Sequence, residues 1–268
     1  MGADLSPRLA RRTRRGPSLA MRPPAYGPLS ALFYDADKPK AGAEEIDWYV
    51  QRLPAQGAVL EAMAGSGRLL LPLVLRGLRV HGVDRSAAML ARCTEKLRAA
   101  GREPRLFRQD VAALNLPLRY GAAFIAAGSF QLLTEPRAVR EALRRMRAHL
   151  VEPSVVLLDL FVPDAALHPP GAAAIEVRSV EVGDGSQLVL RSETRCDSAH
   201  RRIVVASRYE RRRGAAIESR EDECLEYTWY DEQQIAALLR DAGYGDVTIE
   251  PPAWPRAAGR HFGVRAAA

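Results

Sequence analysis

No stretch of the 268-residue chain approaches the run of about 18 to 20 apolar residues that a bilayer-spanning helix needs, which excludes a helical integral membrane protein. Cysteine is scarce. Cys93, Cys196 and Cys224 are too few and too scattered for a disulfide framework or a thiolate metal site, so a reducing, cytoplasmic setting and no metal are expected. Lysine is almost missing, occurring only at Lys38, Lys40 and Lys96, and basicity therefore rests on arginine. Internal repeats and strong linkers are absent as well. What remains is ordinary globular composition, 47% hydrophobic and 26% charged, in a chain long enough to bury a sizeable core.

The formal charge of +7 is unevenly spread. Residues 1–24 carry six arginines (Arg8, Arg11, Arg12, Arg14, Arg15, Arg22) against Asp4, which leaves 33 basic and 31 acidic residues for the rest. The body is nearly neutral. Residues 1–24 lack hydrophobic periodicity and are expected to form a disordered basic tail, with residues 25–268 as one folded domain. The tail has no apolar core of a secretory signal. Its arginines resemble an organelle transit peptide, and Gly2 to Ser6 fit a loose myristoylation pattern. Translation starting at Met21 is the plainer expectation.

From Gly57 onward, apolar runs alternate with helical patterns. Strands are expected at residues 57–61, 78–83, 104–107, 122–127 and 155–161, and helices at 66–75, 86–100 and 137–150. Strand and helix in alternation imply a doubly wound α/β architecture with a mostly parallel, Rossmann-like sheet. After Pro170 the rhythm changes. Four segments (175–182, 187–194, 203–211, 218–227) alternate polar and apolar residues around Gly183-Asp184-Gly185 and Arg213-Gly214, as in an antiparallel meander, placed at 172–229 as a lid layer. A last helix starts at Asp231, an N-cap with Gln234 at the third helical position, and ends at Gly243. Strands at 246–249 and 261–265 close the chain.

Open parallel sheets bind ligands beyond the carboxyl ends of their strands. Polar and glycine residues fall there in order: Glu61 with Gly65 and Gly67, then Asp84, then Asp110, then Gly128 and Ser129. Glycines let a turn approach a ligand, and Asp84 offers two acceptor oxygens to ribose hydroxyls. Asp110 is placed to accept from an exocyclic amine. Taken singly, each residue has a bland explanation: a glycine turn, a helix cap at Asp84, a turn residue at Asp110. Their occurrence at successive strand ends fits a nucleoside-containing cofactor.

These segments resemble a known family. Val59-Leu60-Glu61-Ala62-Met63-Ala64-Gly65-Ser66-Gly67-Arg68, followed by Val80-His81-Gly82-Val83-Asp84-Arg85-Ser86, is similar to motifs I and II of class I S-adenosylmethionine-dependent methyltransferases of the small-molecule type. Gln109-Asp110-Val111 resembles the adenine-contacting segment, and residues 124–130 occupy the place beside the methionine moiety. The resemblance implies S-adenosylmethionine as cofactor. Glu61 would hold its amino end, Ala64, Gly65 and Gly67 would line the methionyl part, and Asp84 would bind ribose. Arg85 and Met89 would flank adenine, Asp110 and Val111 would read its edge, and Gly128 and Ser129 would lie near the methionine. Tyr34 resembles a residue that covers the cofactor. One departure is Met63, where the family pattern has a glycine.

A dinucleotide fingerprint would need a third glycine where Leu70 stands, and Glu61 would repel a pyrophosphate, so an NAD-dependent oxidoreductase is the weaker alternative. Methyl transfer asks mainly for alignment and water exclusion. No catalytic residue is assigned. Asp164, His168, Tyr227 and Tyr230 are candidate bases, and Gln131 a candidate polar lining residue. Ala127-Gly128-Ser129-Phe130 replaces the Pro-Pro-aromatic segment of nucleic-acid amino-methyltransferases, and Arg211-Arg212-Arg213 reads as a solvated hairpin end. A small-molecule amine, hydroxyl or carboxyl acceptor is therefore expected, and a nucleic-acid partner is not. An RNA substrate recruited by the basic tail, and a non-catalytic cofactor-binding scaffold supported by Met63, are the remaining alternatives. Oligomeric state is not legible.

Overall fold

The computed structural model describes residues 26–164, 173–253 and 260–268. Its main sheet has seven strands: β1 (Ala58–Ala62), β2 (Arg79–Asp84), β3 (Leu106–Arg108), β4 (Tyr120–Ile125), β5 (Leu150–Val162), β10 (Gly245–Glu250) and β11 (Arg260–Ala267). They run in the order β10-β11-β5-β4-β1-β2-β3. β1 pairs in parallel with both β2 and β4, so strand order reverses at β1. Near the edge β11 alone runs against the others, pairing antiparallel with both β5 and β10. This places the switch point, and any ligand, beyond Ala62.

Successive strand residues face opposite layers. In β1, Leu60 and Ala62 join the core under α5 (Pro136–Ala148) and α6 (Glu232–Asp241), while Val59 joins the core under α2 (Ala43–Val50) and α3 (Leu70–Leu75). Cys93 and Leu97 of α4 (Ala87–Ala99) complete the second core. Both faces of β1 are therefore sealed, which explains its continuous apolar run.

Between β5 and α6 lies a separate four-stranded antiparallel sheet, β6 (Ala173–Glu181), β7 (Gln187–Asp197), β8 (Arg202–Arg213) and β9 (Ala216–Thr228), in simple meander order. α1 (Pro28–Asp37) packs on it, with Phe33 against Leu188, Leu190 and Tyr209. At the hairpin end of β8, Arg211 and Arg213 pair with Asp184 and Glu218, and Arg212 pairs with Glu210. The arginine run is thus neutralised by its own sheet. No helix among the described residues is long and apolar enough to cross a membrane.

Several boundaries differ from expectation. The helix expected at 66–75 begins only at Leu70, because residues 66–69 stay in the turn that follows β1. α1 and α2 carry no strong periodic signal, since all but Ala31 of what they bury is polar or aromatic: Ser30, Phe33 and Asp35 in α1, Glu45, Trp48 and Tyr49 in α2. α6 begins as expected. Asp231 accepts from the Gln234 N–H at 2.9 Å, and the Gln234 side chain accepts from the Asp231 N–H at 3.1 Å.

Candidate cofactor site

The turn after β1 carries the first part of the site. Its backbone is tightly determined: Met63, Gly65 and Gly67 all lie in the left-handed region, at φ of +59°, +56° and +75°. Met63 thus holds a conformation that favours glycine, a local strain borne by the surrounding packing. Ala127, after β4, does the same at φ +56°, its N–H donating to Asp159 Oδ2 at 3.1 Å. Two strained turns therefore face each other across the switch point.

A cavity of about 880 Å³, counting its open mouth, lies beyond these strand ends. Ten of the residues expected at a cofactor site line it: Tyr34, Glu61, Ala64, Gly65, Asp84, Arg85, Met89, Asp110, Val111 and Ser129. Gly67 and Gly128 do not. A Cβ on Gly67 would meet Cys93 Sγ at 2.4 Å, so this glycine allows α4 to close against the turn. A Cβ on Gly128 would meet the Phe161 ring at 2.7 Å, and Gly128 caps the short 3-10 turn at Ser129–Leu132. Both are packing glycines.

Glu61 is buried at the end of β1, and its Oε2 has no hydrogen-bond partner. Burial raises its pKa to about 8; Arg68 works against that rise, while Glu45 and Asp84 add to it. An orphaned carboxylate oxygen in a cavity is matched by a ligand ammonium. Asp84 accepts from the Gly65 N–H and the Ser86 N–H, each at 2.8 Å, one on each oxygen. It thereby ties the β1 turn to the start of α4, although the N-cap of that helix is Ser86, which accepts from Met89 N–H. Asp110 accepts from Ala112 N–H at 2.8 Å and begins the 3-10 turn at Val111–Ala113. The bland roles are real, but they also fix both carboxylates at the cavity wall.

Other lining residues carry no sequence signal of this kind. Arg68 forms a buried two-pronged pair with Glu45, both contacts at 2.7 Å, and also hydrogen-bonds Tyr34. This ties α2, the β1 turn and α1 together beside Glu61. The signal available was a charged residue inside each of two apolar segments. Tyr26 stands edge-on to Tyr34, with ring centroids 6.4 Å apart. Gln109 accepts from the Asn115 N–H at 2.7 Å and donates to its carbonyl at 2.9 Å, which fixes the loop bearing Asp110.

Gln131 does not line this cavity. Its amide donates to the carbonyls of Phe161 and Thr228 and accepts from the Phe161 N–H, so it joins β5 to β9. Tyr230 also stays outside the cavity. His168 lies outside the described residues.

The donor set fits S-adenosylmethionine: an unpartnered carboxylate oxygen at Glu61 that would meet an ammonium, with Asp84 and Asp110 on the same cavity wall. Residues 59–152 match a family model described as a methyltransferase domain. A glycine/sarcosine N-methyltransferase from Halorhodospira halochloris is 32% identical over 119 residues. That match covers 43% of this chain and 44% of the relative, so the chain spans less than half the length of this curated relative. Among solved structures, the sugar N-methyltransferase KedS8 from Streptoalloteichus sp superposes with a TM-score of 0.71 at 21% identity, over 94% of this chain and 98% of that one. An S-adenosylmethionine-dependent methyltransferase from Clostridium acetobutylicum gives 0.70 at 17% identity, over 88% and 96%. Residues 59–152 thus match a methyltransferase domain, and the chain has the fold of the S-adenosylmethionine-dependent methyltransferases.

Proposed function

We propose that the protein transfers a methyl group from S-adenosylmethionine to a small-molecule acceptor, with nitrogen favoured as the atom methylated. The observation that carries this reading is the unpartnered, buried Glu61 Oε2 sharing one cavity with Asp84, at the ends of neighbouring parallel strands. When bound, S-adenosylmethionine supplies a sulfonium methyl: the acceptor's lone pair forms the new bond, the S–CH₃ electrons stay on sulfur as a thioether, and the acceptor releases a proton. The chain's own part is to grip the amino and ribose groups, roof the site with Tyr26 and Tyr34, and exclude water. Nitrogen is favoured because KedS8 and the Halorhodospira halochloris relative are both N-methyltransferases.

An oxidoreductase binding NAD is disfavoured by the same carboxylate, since a pyrophosphate would meet Glu61. The arginine run of β8 is satisfied internally, which supports a small acceptor over RNA. A cytoplasmic location belongs to this reading.

The test is thermal unfolding with each ligand. S-adenosylmethionine and S-adenosylhomocysteine should raise Tm, and NAD(H) should not. A rise with NAD(H) alone would reverse the assignment. Methyl-donor turnover with a small amine would separate an enzyme from a binding scaffold.

A further inference from the structure

The segment that follows β4 is gripped by the end of β5 at successive places. The last register pair of the two strands is Ile125 with Leu158, and the next residue of β5 is Asp159. The Asp159 side chain accepts from the Ala127 N–H at 3.1 Å, and its backbone carbonyl accepts from the Gly128 N–H at 3.0 Å. Two residues further along β5, Phe161 exchanges hydrogen bonds with the Gln131 amide, donating at 2.9 Å and accepting at 2.8 Å. The segment so held puts Ala126, Ala127 and Ser129 on the wall of the cofactor cavity. Asp159 itself is not part of that wall.

Two features set Asp159 apart from a residue that only fills space. It is a buried carboxylate, and its neighbours Leu157 and Leu158 lie in the two apolar cores. A charge in that position costs desolvation, which donors such as the Ala127 N–H offset. The residue it holds is also strained. Ala127 lies at φ +56°, a conformation that alanine keeps only when its surroundings impose it. Freed from the carboxylate, Ala127 would relax toward an ordinary φ and shift Ser129 on the cavity wall. On the methyltransferase reading, on which this inference rests, that wall lies beside the methionine moiety. Methyl transfer depends on how the methyl is aimed, so a shift of the wall reaches the reacting group.

We infer that Asp159 is a positioning residue for methyl transfer: it fixes the left-handed Ala127–Gly128 turn, and with it the wall against which the methyl end of S-adenosylmethionine rests. It acts through the turn and touches neither cofactor nor acceptor.

The test binds S-adenosylmethionine with an isotope-labelled methyl to the full chain and reads the methyl resonance by NMR, with affinity by calorimetry and Tm alongside. Asp159→Asn keeps an oxygen that accepts from the Ala127 N–H, and should retain the wild-type resonance and affinity. Asp159→Ala should move the resonance toward that of the free cofactor and weaken binding about tenfold, the scale of one charge-assisted hydrogen bond. Adding Ala127→Gly to Asp159→Ala should restore the wild-type resonance, because glycine takes a positive φ unaided. A residue that only stabilises the fold would lower Tm in Asp159→Ala and leave the bound resonance in place, a result that overturns the inference. A double variant no closer to wild type than Asp159→Ala overturns it as well. Should Asp159→Ala fail to fold, the double variant must recover a folded protein with the wild-type resonance, and its failure would make Asp159 a core residue alone. Wild-type protein that binds no S-adenosylmethionine would remove the methyltransferase reading itself, and this inference with it.

Discussion

Glu61 has a pKa near 8 because burial disfavours its charge, and the nearby Arg68 only partly offsets that. Its value lies above that of an unfolded glutamate, so the folded chain holds the proton more tightly. The contribution of Glu61 to the stability of the ligand-free protein should therefore be complete at low pH and be lost as pH rises from about 5 toward 8, by at most about 1.4 kcal/mol per pH unit. Glu61→Gln should flatten that slope in a pH series of chemical denaturation; an unchanged slope would place the titration elsewhere. Cofactor affinity should move the other way. Binding needs the carboxylate together with a ligand ammonium, so affinity rises toward pH 8, approaching about tenfold per unit, and declines above it as the ligand's amine deprotonates. Two neighbouring glycines separate packing from binding. Gly67→Ala places a Cβ onto Cys93 at positive φ and should cost about 1 to 3 kcal/mol of stability, with cofactor affinity lost only in proportion to unfolding. A selective loss of affinity in a fully folded Gly67→Ala protein would return this residue to the binding surface.

At the scale of elements, α1 is held from outside. Its N-cap is Gly27, which offers no side chain, and the carboxylate of Glu221 on β9 accepts from the first-turn N–H groups of Leu29 and Ser30 at 2.8 and 3.0 Å. A Cβ at Gly27 would strike that carboxylate at 2.7 Å, so the glycine leaves room for the carboxylate over the helix end. At the far end Asp35 pairs with Lys96 at 2.7 Å and Arg92 at 2.9 Å on α4. The helix bearing Tyr34 is thus clamped between the meander and the main sheet. Glu221→Ala should cost about 1 to 2 kcal/mol, as loss of a cap does, and should also weaken cofactor binding through Tyr26 and Tyr34. Loss of stability without loss of affinity would show that α1 does not roof the cofactor. These links also explain what was legible in the chain. β1, β2, α4, α5 and α6 follow from periodicity and caps, because the strands bury continuous apolar runs and the helices each bury one apolar face. α1 and α2 do not, because their placement rests on Glu221, Arg68 and Lys96, which are 192, 23 and 61 residues from their partners. The site divides in the same way. Residues at strand ends were readable in order, whereas Tyr26, the Glu45–Arg68 pair and the packing roles of Gly67, Gly128 and Gln131 depend on contacts between distant segments.

For the whole molecule, the meander inserted between β5 and α6 does two things at once. It caps the amino end of α1, and with α1 it encloses a second cavity beside the cofactor cavity. Tyr26 and Tyr34 line both cavities. On the proposed function, the parallel sheet would supply the cofactor grip. Everything in that account depends on the cavity beyond β1 and β2 binding S-adenosylmethionine through Asp84 and Glu61. The most direct measurement is calorimetric titration of the full chain with S-adenosylmethionine and with NAD(H), repeated with Asp84→Ala. The account predicts micromolar binding of the methyl donor, weakened about 10- to 100-fold in the variant as befits loss of charge-assisted hydrogen bonds, and no binding of NAD(H). Absence of binding to S-adenosylmethionine, or an affinity that Asp84→Ala leaves unchanged, would contradict it.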